Sequence, residues 1–399
     1  MRLQHENIQT FILAGGKGSR LYPLTRHRSK PAVFFAARYR IIDFVLSSCI
    51  NSGIRQIYVL TQTKSFSLEQ HLRRSWNYLP AQLGEFVAAV PAQQRISEQW
   101  YRGTADAIFQ NMNLIEDHRP EHVLILSGDH IYSMDFGELF RQHVESESDL
   151  TISVIPIKKK EASPFGVLSM DPDSRITSFL EKPQDPSLIP GEGDDCYINM
   201  GIYLFRTEPL VRMLAKDARE NSSHDFGKDI IPAMLNSYRV SGFHFPKSRF
   251  GHYWRDVGTI QSYFEANMEF LDHLSTGLIC TPEWPIGSLG VRLAPTYLGG
   301  DSAVTIEDST VDIGSTLRSC HLKRSLIGRK VTIDEGSVIE NSIIMSRSRI
   351  GKGCVIRNAI FDDGARVPDN TTIGVNPEED MSRFFISDGI VVLPKGFQL

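Results

Sequence analysis

Cysteine is scarce in this 399-residue chain: Cys49, Cys196, Cys280, Cys320 and Cys354 are scattered, with no Cys-x-x-Cys pair and no histidines beside them at metal-ligand spacing. That argues against a zinc ribbon and a disulfide scaffold, so free, buried thiols are expected. Long hydrophobic runs are missing too. No stretch reaches the roughly 18 apolar residues that a membrane span needs, and the first ten residues hold no long apolar segment, so a cytoplasmic protein without a membrane partner is expected. Neither sign of charge dominates. Lysine and arginine total 43 against 47 aspartates and glutamates, and a net charge of −4 removes the electrostatic reason to expect a nucleic-acid polymer as partner. Both common phosphate motifs are absent as usually written: there is no Gly-x4-Gly-Lys-Ser/Thr, and the Gly-x-Gly-x-x-Gly spacing fails.

What is present is a globular composition, 41% hydrophobic and 23% charged, on a chain too long for one ordinary core, so two domains are expected. From residue 8 to about 270, short β-rich runs alternate with helical patterns, the sequence form of an α/β domain with a mostly parallel sheet. Strands are expected over Gln9–Ala14, Gln56–Thr61, His122–Ser127, Leu150–Ile157 and Gly201–Arg206, and helices over Ile42–Ser52 and Thr104–Asp117. Asp135 is placed to cap a helix whose apolar face is Phe136, Leu139, Phe140 and Val144. Residues 271–300 read as a connector, interrupted by Pro282, Pro285, Gly287 and Pro295. A different grammar follows over 301–399. Ile327, Ile333 and Ile339 lie six apart, as do Ile350 and Ile356, and Val367 and Ile373, while Ile-Gly recurs at 313, 327, 350 and 373. This is the hexapeptide mark of a parallel β-helix, with loops or irregular coils expected where the register slips, between 313 and 327 and between 339 and 350.

The chemistry begins where Phe11-Ile12-Leu13-Ala14 breaks into Gly15, Gly16 and Gly18, with Arg20 close behind. Glycines let backbone N–H groups approach anionic oxygens, and a guanidinium can fork onto those oxygens, so the segment suits a triphosphate. Lys30, in Lys-Pro-Ala-Val behind the loop, is assigned to the same anionic cluster, and Arg20 to the β- and γ-phosphates. Asp129 follows the apolar run 123–126 and emerges at a strand end, where a Mg²⁺ ligand belongs; Asp256 is the best second carboxylate. His130 is read as structural, because an attacking phosphate is already anionic and needs no base. Glu181-Lys182-Pro183 supplies a second anion site, the lysine for a sugar phosphate and the glutamate for sugar hydroxyls, with Gly166 and Asn199 bordering the sugar.

The ordered set Gly-Gly-x-Gly-x-Arg-Leu, Pro-Leu-Thr and Lys-Pro resembles the sugar-nucleotide pyrophosphorylases. Further segments narrow the likeness to the bacterial ADP-glucose pyrophosphorylase family: 40–44, 49–54, 91–95 (Pro-Ala-Gln-Gln-Arg), 100–106 (Trp-Tyr-Arg-Gly-Thr-Ala-Asp) and 222–229 (Ser-Ser-His-Asp-Phe-Gly-Lys-Asp). The resemblance spans nearly the whole chain. It implies ATP and α-D-glucose 1-phosphate as substrates, ADP-glucose and diphosphate as products, Mg²⁺ dependence, allosteric phosphorylated metabolites and a homotetramer. It also implies a Rossmann-like nucleotidyltransferase domain followed by a left-handed β-helix. By motif, Tyr101 lies at the substrate site, Gly166, Glu181 and Lys182 bind glucose 1-phosphate, Asp129 and Asp256 hold the metal, and Gln62 and Trp100 connect regulation with catalysis.

Two departures stand out. Asn199 occupies a position where many members have serine, and His27, within Arg26-His27-Arg28, stands where the family often has an activator-binding lysine. Histidine is only partly charged near neutral pH, so weak activation by fructose 1,6-bisphosphate, or its replacement by another metabolite, is expected. Arg26, Arg28, Arg38 and Arg40 still supply charge for an anion, or else form a solvated basic face. Two other classes of function remain open: a non-catalytic subunit of the same fold, against which the full set of charges argues, and an acyltransferase, against which the single histidine of the β-helix region, His321, argues.

Overall fold

The computed structural model describes residues 8–93, 100–191, 193–245, 253–276, 280–288 and 292–399. Gln94 and Arg95 of the 91–95 motif lie outside them. Nine strands form the first sheet: β1 (Ile8–Leu13), β2 (Gln56–Thr61), β3 (Phe86–Pro91), β4 (His122–Ser127), β5 (Leu150–Lys158), β6 (Gly166–Met170), β7 (Ile176–Glu181), β8 (Asp195–Arg206) and β9 (Val240–His244). They lie in the order β7-β6-β8-β4-β1-β2-β3, with β5 also paired to β8 and β9 to β5. Parallel pairing joins β4, β1, β2 and β3, while β8 runs antiparallel to β4, β5 and β6. The central strands are buried on both faces, and β1 buries Gln9 and Thr10 along with its apolar residues.

Helices α1 (Ile41–Asn51), α2 (Phe66–Ser75), α3 (Thr104–Phe109), α4 (Met112–His118), α5 (Phe136–Glu145), α6 (Thr207–Asp217) and α7 (Ile260–Thr276) accompany this sheet. Asp135 caps α5 as expected, accepting the Gly137 N–H at 2.8 Å, and Phe136 and Leu139 are buried. Val144 is 46% exposed and is not part of that apolar face. The single helix expected over 104–117 is two, because Asn111 leaves helical geometry and its Nδ2 donates to both the Ala107 carbonyl and the Tyr101 hydroxyl. Leu13 and Ser127, the last residues of β1 and β4, are direct partners, so the glycine loop and the turn at Asp129 leave the sheet side by side. No helix among the described residues is long and apolar enough to cross a membrane. All five cysteines are free, four buried and Cys280 partly exposed.

The C-terminal strands stack as three parallel columns. Leu317, Ile333, Ile350 and Val367 align in one, Leu322, Ile339, Ile356 and Ile373 in a second, and Ile327, Ile344 and Phe361 in a third. These side chains fill the interior. The expected loops between 339 and 350 are absent. The side between the second and third columns is instead a residue short in every coil, and its corner turns through left-handed Arg324, Asn341 and Asn358, at φ 47°, 45° and 45°. Asparagine tolerates that conformation, and Asn341 Nδ2 donates to Asn358 Oδ1 at 2.6 Å, stacking one corner on the next. Ile313 is 38% exposed and belongs to no interior column; Leu317 and Leu322 carry the columns before Ile327.

The two parts share one apolar cluster. Phe35 meets Phe44, Phe270 and Tyr263 edge-on with ring centroids 5.2, 5.7 and 6.2 Å apart, and Leu326, Ile343, Ile360 and Val392 of the β-helix join the same cluster.

Candidate active site

Two cavities meet at Asp129. The larger, about 400 Å³, is walled by the glycine loop, Gln62, Tyr101 and Thr104. The smaller, about 250 Å³, is walled by Arg20, Glu181, Lys182, Asn199, Asp225 and Asp256. The seam between them is built by topology. Asp129 follows β4, and the short strand Trp254–Asp256 pairs antiparallel with His130–Tyr132 so that Asp256 lies opposite His130. Lys30 sits in a tight turn, Lys30–Ala32, with Pro31 holding its φ. Far from being a solvated lysine, it is 5% exposed, and its Nζ lies 3.0 Å from Asp129 Oδ2 and 3.0 Å from Asp256 Oδ1.

Burial alone would lower the Lys30 pKa, but the two carboxylates outweigh it and hold the ammonium above the ordinary lysine range. Burial would likewise raise Asp129; Lys30, then His130 and a hydrogen bond from the Ser127 hydroxyl, hold its carboxyl well below the usual carboxylate range. His130, read from sequence as structural, stands beside both acids, with Nε2 3.6 Å from Asp129 Oδ1 and 3.9 Å from Asp256 Oδ1. Its Nδ1–H donates to the Met200 carbonyl at 3.2 Å, which turns Nε2 to the carboxylates.

On the other side, Glu181 ends β7 opposite Gly166, the first residue of β6. A Cβ on Gly166 would stand 2.8 Å from Glu181 Oε2, and one on Gly227 would stand 2.4 Å from it, so the carboxylate rests in a cradle that only glycine leaves open. Lys182 adopts φ 49° and its Nζ lies 2.9 Å from Glu181 Oε1, with the side chain more than half exposed. Asn199 borders this cavity, but its Oδ1 already accepts the Gly201 N–H at 2.8 Å and its Nδ2 donates to the Tyr203 hydroxyl at 2.7 Å. One amide hydrogen remains for a ligand. Arg20 lines the smaller cavity and not the loop cavity, so it lies nearer the seam than a role on β- and γ-phosphates alone suggested.

The expected regulatory residues disperse. Gln62 lines the larger cavity and its Oε1 accepts the Tyr101 N–H at 3.1 Å, whereas Trp100 is 55% exposed and lines neither cavity. Arg26 and His27 are exposed. Arg28 is not free for an anion: it is 4% exposed, paired with Asp362 of the β-helix, and donates from Nε to the Leu24 carbonyl at 3.1 Å. Arg40 stacks over the Phe34 ring at 4.7 Å and lines a third cavity, about 600 Å³, where β-helix residues Arg329 and Arg347 face it.

Residues 9–273 match the family model for nucleotidyl transferases, and residues 298–393 match that for the GlmU-like C-terminal hexapeptide domain. Glucose-1-phosphate adenylyltransferase 2 of Alkalilimnicola ehrlichii is 45% identical over 392 residues, covering 97% of this chain and 93% of that protein. Glucose-1-phosphate adenylyltransferase of Nitrosococcus oceani is 45% identical over 399 residues, covering 98% and 94%. The Vibrio cholerae glucose-1-phosphate adenylyltransferase 2 is 43% identical over 397 residues, covering 97% of each. This chain belongs to the glucose-1-phosphate adenylyltransferase family. Its fold is accordingly that of a nucleotidyltransferase domain joined to a left-handed β-helix.

Within this adenylyltransferase frame, sequence reasoning passed over several residues that line the cavities. Lys17 lies in the glycine loop itself, and Thr104 and Asp225 border both cavities, the Thr104 hydroxyl donating to Asp225 Oδ2 at 2.9 Å. The segments holding Thr104 and Asp225 were singled out as family motifs, but nothing in their spacing assigned either residue a task. Tyr203 was equally hidden, since it lines the smaller cavity beside the irregularity of β8 at Gly201, φ 72°.

Proposed function

We propose that this chain joins ATP to α-D-glucose 1-phosphate, releasing diphosphate and forming ADP-glucose for glycogen biosynthesis. The observation that carries the assignment of parts is the meeting of two cavities at the Lys30–Asp129–Asp256 cluster. ATP takes the larger cavity, with its phosphates against the glycine loop. Glucose 1-phosphate takes the smaller, with its phosphate toward Lys182 and Arg20 and its hydroxyls toward Glu181 and Asn199. An oxygen of the sugar phosphate attacks the α-phosphorus in line; one P–O bond forms as the bond to the β-phosphate oxygen breaks, and diphosphate leaves with the electron pair. The nucleophile is already ionised, so the protein's task is to align two anions and offset their repulsion.

Two carboxylates against one ammonium leave negative charge at the seam, and their oxygen-only donors suit a hard cation. Among the described residues no group of three or more His, Cys, Asp or Glu could hold a metal, so Asp129 and Asp256 would supply two ligands and leave the remainder to phosphate and water. Mg²⁺ bound there would neutralise phosphate charge and polarise the reacting phosphoryl group. Lys30 would keep the two acids apart from one another's repulsion and fixed toward the seam. Phosphorylated effectors fit the third cavity, whose cations come from both domains, and a homotetramer is the assembly that accompanies this reading.

Diphosphate release from glucose 1-phosphate with Mg²⁺ and, in turn, ATP, UTP, dTTP and GTP tests the proposal. Strong preference for ATP is expected; no turnover with any nucleotide would favour a non-catalytic subunit. Asp129→Asn should fold and lose at least a hundredfold in kcat, and near-normal turnover would remove Asp129 from the mechanism.

A further inference from the structure

The third cavity has an unusual charge distribution. Six fixed cations line it, Arg38, Arg40, Arg74, Arg329, Lys330 and Arg347, and one carboxylate, Asp363, stands among them. Asp363 is 4% exposed, and its Oδ2 is paired with the Arg347 guanidinium. Its Oδ1 is buried with no hydrogen-bond partner among the described residues. The backbone gives it no latitude: its N–H donates to Asp362 Oδ1 at 2.7 Å and its carbonyl accepts the Gly396 N–H at 3.0 Å. Burial raises this carboxyl above its ordinary range despite Arg347, which marks a charge held where water does not solvate it fully.

A second unpartnered group belongs to a residue that lines the same cavity: Arg329 donates from Nε to Asp312 Oδ2 at 2.9 Å, but its Nη2 is buried without a partner among the described residues. The cavity therefore holds a buried cationic donor and a buried anionic acceptor that do not bond each other. A dianionic group entering here would satisfy Arg329 and compete for Arg347, whose side chain is 63% exposed and able to turn toward it. Asp363 is the charge that such a ligand meets, since it repels the ligand and occupies the guanidinium the ligand needs.

We propose that Asp363 is a built-in counter-anion of the inter-domain cavity: it holds Arg347 until a phosphorylated ligand takes that guanidinium over, and so sets the threshold for effector binding. This rests on the reading of the third cavity as the effector site. The carboxylate makes the empty cavity tolerable, because it offsets part of a cluster of like charges, and it weakens every anion that binds there by the same interaction.

The test is calorimetric titration of the 399-residue protein with fructose 1,6-bisphosphate and, separately, inorganic phosphate as probes. Asp363→Asn should tighten binding roughly tenfold, while Asp363→Glu, which restores the charge, should stay near the wild-type value. Arg74→Gln, which removes a lining cation distant in sequence from Asp363, should weaken binding in both the wild-type and Asp363→Asn backgrounds. If Arg74→Gln weakens binding but Asp363→Asn leaves it unchanged, the counter-anion role is overturned and the effector site stands. If Arg74→Gln has no effect, or no protein binds either probe, the effector site fails and the counter-anion role with it. Melting curves check that the variants fold, and Asp363→Ser carries the same test should the asparagine variant not fold.

Discussion

Lys30 illustrates how a single residue acquires its role from its surroundings. A lysine in a turn is ordinarily solvated, yet this one is placed between Asp129 and Asp256, ion-paired to both, and holds the Asp129 carboxyl below its ordinary range. Lys182 differs: it is largely exposed and, among the described residues, its only ion pair is with its neighbour Glu181, which leaves its charge available to the sugar phosphate of the proposed reaction. Lys182→Gln should raise KM for glucose 1-phosphate by about tenfold or more with little change in KM for ATP, as steady-state kinetics would show; a change confined to ATP would mean the anion was wrongly assigned. Away from the site, His122 and His143 meet edge-on with centroids 5.2 Å apart, and a ring nitrogen of each is buried without a partner among the described residues. Burial lowers His122 to about 4 and, with His122 beside it, His143 to about 3, against an ordinary value of 6.5. The unfolded chain therefore binds these protons first. Their effect on stability is absent above about pH 6.5 and grows as pH falls toward 4, each ring costing roughly 1.4 kcal/mol per pH unit. Urea unfolding at pH 7 and pH 5 should show a steeper loss in the wild type than in the His122→Gln/His143→Gln variant.

At the scale of elements, short connections do most of the positioning. The hairpin Phe34–Phe35 and Tyr39–Arg40 turns through left-handed Ala36 and Ala37 and carries Arg38 and Arg40 to the third cavity. The β-helix loop at 362–363 faces two ways, with Asp362 on Arg28 and Asp363 on Arg347. Arg28 lies three residues after Thr25, whose hydroxyl donates to the Gly18 carbonyl of the glycine loop at 2.9 Å, so this ion pair anchors the β-helix close to the glycine-loop cavity. Arg28→Ala would leave Asp362, 1% exposed, as a buried unpaired charge, and a stability loss of about 3–5 kcal/mol is expected by chemical denaturation. Sequence spacing had offered Arg28 as a cation for an anionic ligand. It could not distinguish that from an ion pair, because the partner lies 334 positions away.

On the scale of the whole molecule, the two domains share an apolar cluster and close contacts, which makes their relative placement a property of both. The hairpin tip reaches the β-helix at Gly328, where a Cβ would stand 2.8 Å from the Ala37 carbonyl oxygen and 2.8 Å from the Ser346 nitrogen. Both neighbours are backbone and cannot rotate away. Gly328→Ala should therefore lower stability by roughly 1–3 kcal/mol, read as a lower melting temperature. Because the cavity of Arg40, Arg329 and Arg347 spans the same boundary, the variant should also weaken anion binding there, which titration with fructose 1,6-bisphosphate would detect.

The sequence determined the alternation of β-rich and helical runs, the six-residue apolar period and the glycine loop with its following arginine, because each is a local pattern set by backbone geometry. It also marked Asp129 as a strand-end carboxylate, since an apolar run that stops at a polar residue is visible without a partner. The tight corners of the β-helix were not legible as such: a coil shortened by one residue looks, along the chain, like a lost register. Only the tertiary structure brought Asp256 opposite His130, turned His130 onto both acids, committed the Asn199 amide to its own strand and converted Arg28 from a ligand cation into an interdomain tie. The reason is the same in each case. Charge and hydrogen bonding act over a few ångströms in space, and the groups that decide each role here are brought within that range by sheet pairing, bulges and domain packing.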